Sequence, residues 1–159
     1  MTQLALSKCL KSILAGVWVC GLIIYFAVVP MLGQTILLEY PESGYCFWPW
    51  LIFIWCTGIP CAAGLVFAWR MSTNIGDDRS FSVENAKLLR RIAILAAGDA
   101  AFFFVGNIVF LCLNMNHPAV VIFSLFVVFA AVAIAVAAAA LSHLVMKAAL
   151  MQAENDLTI

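Results

Sequence analysis

The run AVVIFSLFVVFAAVAIAVAAAALSHLVM, residues 119–146, contains no Lys, Arg, Asp or Glu. Its only polar side chains are Ser124, Ser142 and His143. A helix needs about 20 mostly apolar residues to cross the hydrocarbon core of a bilayer, and this run exceeds that length. It does not alternate between apolar and polar as a membrane strand does. Lipid offers the backbone no hydrogen bonds, so a helix is the conformation left. Three further runs upstream have the same character, at about 92–113, 47–69 and 13–38.

Composition agrees with that reading. The 159 residues are 66% hydrophobic and 10% charged, with a mean hydropathy of +1.11. Soluble domains are roughly half apolar and about a quarter charged. A soluble domain, a disordered chain and a nucleic-acid binder with a basic face are therefore excluded. The expected fold is all-α, a single integral membrane bundle of four transmembrane helices spanning 1–159. Residues 71–91 form a loop with an amphipathic helix, and 147–159 form a tail. Lys8 and Lys11 imitate the n-region of a signal peptide, but the apolar run outlasts an h-region and no small-residue cleavage site ends it. It is read as a retained helix.

Charge sets the orientation. Lys8 and Lys11 precede the first run; Arg70, Arg79, Lys87, Arg90 and Arg91 lie between the second and third; Lys147 follows the fourth. The other two connections hold no Lys or Arg. Basic residues favour the cytoplasmic side, so both termini and the central loop are expected there. Trp48, Trp50 and Trp69 sit at run ends, where amphipathic rings prefer the interface.

Pro30 and Pro60 fall inside the first two runs and are expected to kink them. Ala131, Ala135 and Ala139 recur every four residues, so they predict a small-residue packing seam, within the bundle or between two copies. The six cysteines form no C-x-x-C pair and mostly read as small hydrophobes. A Cys46–Cys112 disulfide on the outer side stays open.

Asp99 is the one acid within a run and, by its cost in lipid, a candidate functional residue. It lies seven residues beyond Ile92, roughly 10 Å from the inner face. The same counting brings Cys20 and Cys61 to its level. Three readings compete. Asp99 is a neutral acid bonded to a backbone carbonyl, because a bare charge is costly in hydrocarbon. Or it lines a polar cavity for a ligand, ion or proton. Or it joins Cys20 and Cys61 at a metal, for which the spacing supplies no motif. Asn107 lies level with Ser124, which predicts a hydrogen bond between their helices. His143 is expected at the interface with Ser142 and Lys147. No nucleophile elbow, H-E-x-x-H or phosphate loop is present, so neither an enzyme, a cofactor nor a bound metal is expected.

The segment RSFSVENAKLLRRI, 79–92, is the most informative polar stretch. Ser82 is an expected N-cap, with Glu84 in the first turn, where an acid suits the dipole. Phe81 is placed to pack on the helix start. Lys87, Arg90 and Arg91 form a basic face that suits anionic lipid head groups or a protein partner. The chain ends ENDLTI, 154–159, where Glu154 and Asp156 are expected to dock on that basic face or on a partner. Chain ends are usually disordered.

FSVENAKLLRRI, the spacing of the four runs and the ENDLTI ending resemble a bacterial family of small membrane proteins known as a domain of unknown function. The resemblance implies four spans in the bacterial cytoplasmic membrane and no enzymatic activity. Members are often encoded beside a small helix-turn-helix regulator, which implies a cytoplasmic partner without direct nucleic-acid contact. The expected function is regulatory, sensing or sequestering such a partner. The alternative is a small transporter or ligand-binding bundle centred on Asp99. A polar cavity reaching Asp99 favours the alternative, and a dry interior favours regulation. A homo-oligomer is compatible with either.

Overall fold

The computed structural model describes residues 2–156 of the chain, all of them helix or short connection, with no strand among them. Thr2 caps α1 (Gln3–Ile23) by accepting from the Ala5 amide at 3.3 Å. One π-helical turn, Ile24–Val28, joins α1 to α2 (Val29–Glu39). A 3-10 segment, Pro41–Cys46, leads into α3 (Phe47–Gly76). Then come α4 (Val83–Cys112) and α5 (Pro118–Asp156). Four rods are long and apolar enough to span a membrane: Gln3–Glu39, Pro41–Gly76, Val83–Cys112 and Pro118–Asn155. The two tight turns between α3, α4 and α5 each use a left-handed residue, Asp78 at φ 59° and Asn114 at φ 55°. Asp and Asn tolerate that conformation better than other non-glycine residues.

Pro30 and Pro60 behave differently. Pro60 is carried within α3, which continues through it. Near Pro30 the helix widens instead. The Val29 amide bonds the Ile24 carbonyl, five residues back. In that register the Tyr25 carbonyl needs the residue-30 amide, and proline has none. The Trp55 indole fills the vacancy, donating to the Tyr25 carbonyl at 2.9 Å. A π-turn stabilised by a neighbouring helix is one way a membrane satisfies a backbone group freed by proline.

The four rods form an open row rather than a closed bundle. The first rod packs on α3, α3 on α4 and α4 on α5. No Cα of α1 comes within 8 Å of α4 or α5, nor of α3 to α5. Lipid supplies no hydrophobic force to close such a row. Helices therefore stay together only where small or polar side chains let them approach. The outer face of α5, with Phe123, Phe126 and Phe129 at 70% exposure or more, offers no such surface.

The closest packing joins α4 to α5. Ala86, Leu89, Ala93, Ala100 and Asn107 are buried on α4, and Ser124, Ala135, Ala138, Ser142 and Ala149 on α5. The α4 set steps by three, four or seven residues and the α5 set by three, four, seven or eleven, all sums of the three- and four-residue steps of a heptad seam. The alanine seam is thus displaced from expectation: Ala138 is buried and Ala139 is exposed. A strict four-residue repeat rotates about 40° per step around a 3.6-residue helix, so it drifts off the contact line. The tail also differs, because α5 continues through Asp156 and Ala149 is buried. Residues 157–159 of the ENDLTI ending lie outside the described residues.

The α1–α3 contact rests on reciprocal serines. Ser7 Oγ donates to the Ser72 carbonyl at 2.6 Å, and Ser72 Oγ donates to the Ser7 carbonyl at 3.0 Å. Both are buried, and a Cβ at Gly76 would lie 2.9 Å from Ser7 Oγ.

Candidate functional site

A row of polar side chains crosses the middle of the first three rods. Cys61 Sγ, on α3, donates to Asp99 Oδ2, on α4, at 3.8 Å. Thr57 lies one turn before Cys61 on the same face. Its hydroxyl donates to the Ile54 carbonyl at 2.7 Å, so the 3.1 Å bond to Tyr25 must be donated by Tyr25 Oη. Tyr25 also interacts with the Cys61 thiol. The other carboxyl oxygen, Asp99 Oδ1, is buried with no hydrogen-bond partner. The row therefore runs Thr57, Tyr25, Cys61, Asp99 and ends at an open acceptor. That oxygen can take a proton, or accept from a donor brought by a ligand.

This geometry sorts the sequence-based expectations. Cys61 does meet Asp99. Cys20 is exposed on α1 and makes no bond to it; Tyr25, five residues on, takes that place. Depth counting gives a level along a helix but not the side of the helix that faces inward. The thiol, rather than a backbone carbonyl, is the group bonded to Asp99. Among the described residues no three His, Cys, Asp or Glu side chains converge as metal ligands. Cys46 and Cys112 are free thiols.

The bond expected between Asn107 and Ser124 is absent. Both are buried, but Ser124 Oγ turns back to the Val121 carbonyl at 2.7 Å. Asn107 donates to the Phe103 carbonyl at 2.9 Å and accepts from Asn116 Nδ2 at 3.2 Å. Asn107 thus secures the α4–α5 turn instead of bridging the helix bodies. Local partners at three and four residues are always within reach, so they win over one across the interface.

At the end of the rods that carries the α3–α4 turn, the 79–92 segment is built by Asn85, a residue to which the sequence assigns no role. Asn85 is 1% exposed. Its amide donates to the Arg79 and Ser80 carbonyls at 3.1 and 3.0 Å, and its carbonyl accepts from Asn74 Nδ2 at 2.8 Å. Ser82 caps α4 as expected, accepting from the Asn85 amide at 3.2 Å. Ser142 Oγ donates to the Ala86 carbonyl at 2.7 Å. Half the motif is therefore structural. Phe81 is 60% exposed rather than packed on the helix start. Glu84, Lys87, Arg90 and Arg91 are exposed. Arg91 lies over the Phe67 ring at 5.7 Å, as Lys11 lies over Trp69 at 5.9 Å. Glu154 is exposed near the end of α5, and Asp156 closes that helix. His143 is exposed, while Ser142 is buried against α4.

Two grooves stand apart from Asp99. One, of about 800 Å³, lies between α4 and α5; the other, of about 580 Å³, lies between α2, α3 and the α4–α5 turn, at the end of the rods opposite the α3–α4 loop. Neither is lined by Asp99.

Four apolar rods, a polar row across their middle and a built α3–α4 loop define an all-helical membrane protein. The chain belongs to the family described as protein of unknown function (DUF2975), whose sequence profile matches residues 32–159. It is similar to the uncharacterized membrane protein YoaS of Bacillus subtilis (strain 168), with 28% identity over 149 residues and 92% of each chain covered. No solved structure matches the chain.

Proposed function

We infer that this is a non-enzymatic regulatory membrane protein that holds a cytoplasmic partner, such as a small helix-turn-helix regulator, on its inner face. One observation carries this reading. The start of α4 is tied to α3 through Asn85 and Asn74 and to α5 through Ala86 and Ser142. It is therefore a platform joined to both neighbouring spans, with Lys87 and Arg90 exposed on it. A shift between α3 and α4 inside the membrane must alter that platform. The location is the bacterial cytoplasmic membrane with both termini inside, an orientation supported by the distribution of the eight basic residues. Under this topology an impermeant thiol reagent applied to intact cells labels Cys46 and spares Cys9; the reverse pattern overturns it.

The partner test is deletion of residues 154–159, which leaves Ser124, Ala135, Ala138, Ser142 and Ala149 of the seam in place. Retention of the purified neighbour-encoded regulator on the membrane protein should fall at least several-fold, with melting temperature nearly unchanged. Unchanged retention would count against docking at this face.

The unpartnered Asp99 Oδ1 supports a second reading, a ligand or proton site at the polar row. If Asp99 is a neutral acid, Asp99→Asn preserves size and donor capacity and is expected to melt within about 1 kcal/mol of the wild type. Asp99→Leu strands the Cys61–Tyr25 end of the row and is expected to cost more. Asparagine as damaging as leucine in detergent melting would mean that the charge itself is required, as for cation binding.

A further inference from the structure

One side of the α4–α5 seam is a groove of about 800 Å³. Ala97 and Ala101 of α4, with Val132 and Ala139 of α5, wall it with short apolar side chains. Polar character is gathered at one end, where Arg90 and His143 line the groove. Ser142 also reaches it, but its hydroxyl is committed to the Ala86 carbonyl. Arg90 makes no ion pair with any described residue. A guanidinium and an imidazole at one end, continued by an apolar channel along the helices, are the complement of an amphiphile with an anionic head.

The geometry points to a phospholipid site, with the phosphate of an anionic phospholipid on Arg90 and His143 and one acyl chain along the α4–α5 groove. The guanidinium fork matches two phosphate oxygens, and an imidazole N–H supplies a further donor. Arg90 to Phe104, the ends of the α4 wall, span about 21 Å along the helix. One leaflet of hydrocarbon is about 15 Å deep, so the groove takes a chain through its whole leaflet. The lipid belongs to the leaflet on the side of the 79–91 loop, whichever way the protein is oriented.

The test is native mass spectrometry of the full chain in mild detergent, titrated with phosphatidylglycerol or phosphatidylcholine. One phosphatidylglycerol should be retained in preference to phosphatidylcholine. Arg90→Gln should weaken it about tenfold, the effect of one lost charged hydrogen bond. Arg90→Lys, which keeps the charge but loses the fork, should weaken it less and serves if the glutamine variant does not fold. Ala139→Leu fills the groove from an exposed wall position, so it should reduce retention without lowering the lipid-free melting temperature. Equal retention of the two lipids, or no effect of any variant, overturns the proposal. Displacement by glycerol phosphate would reveal a phosphate site without a chain, and also overturns it. A change in oligomeric mass for Ala139→Leu with unchanged lipid retention would make the groove a seat for a second copy and would likewise overturn the lipid assignment.

Discussion

Gly106→Ala is expected to lower the melting temperature in detergent, although alanine is the better helix former by about 1 kcal/mol. A Cβ at Gly106 runs into the Phe53 ring. That ring has nowhere to go. It stacks on Phe103 at 5.7 Å with an interplanar angle of 7°, and it also meets Trp50, Phe102 and Phe110. Overpacking of this kind costs about 1–3 kcal/mol. The control is Gly98→Ala, eight residues earlier on α4, where a Cβ meets nothing within 4 Å. That change should be neutral or slightly stabilising. Phe53→Ala removes the contact from the other side and is expected to cost about 3–5 kcal/mol. In a Phe53→Ala background, Gly106→Ala should lose its penalty, since the ring it collides with is gone. Additive effects in that double-mutant cycle would show that the two residues do not form the α3–α4 contact.

Asn85→Leu is expected to open the loop between α3 and α4. The substitution leaves the Arg79 and Ser80 carbonyls and the Asn74 amide without their partners. Each buried polar group stranded in this way costs about 1–3 kcal/mol, less where water enters. A loss of about 3 kcal/mol follows, with faster tryptic cleavage at Arg79 in membranes opened to the protease. Asn85→Asp keeps the acceptor for Asn74 but turns a carboxylate toward two carbonyls, so it should be nearly as damaging. Ser82→Ala removes only a cap and should cost about 1 kcal/mol. If Asn85→Leu leaves cleavage and melting unchanged, the loop is held by something other than this network. The comparison also bears on the regulatory reading, because a loosened platform should lose its partner while the spans remain inserted.

The ranking of these residues was only partly legible in the chain. Ser82 as the cap and α4 as a continuous helix from the motif into the membrane could be read from local rules, since both depend on neighbours within one turn. Asn85 could not be separated from Lys87 or Arg90 as structural rather than exposed, because its partners are Asn74 on another helix and two carbonyls of a loop. Gly106 gave no signal at all. A glycine in an apolar run looks the same whether it faces lipid, as a Cβ at Gly98 meets open space, or a locked aromatic ring.

Helix number, approximate extent and the cost of Asp99 follow from the residues alone, because a bilayer imposes its length and its lack of hydrogen bonds on each segment independently. Which way each helix faces does not follow. The seam runs through Ala138 instead of Ala139, Tyr25 rather than Cys20 enters the row that ends at Asp99, and the row of helices stays open. Those outcomes depend on rotation about the helix axes, set by contacts between residues far apart in sequence. In a medium where hydrophobicity does not distinguish inside from outside, composition carries little record of that rotation.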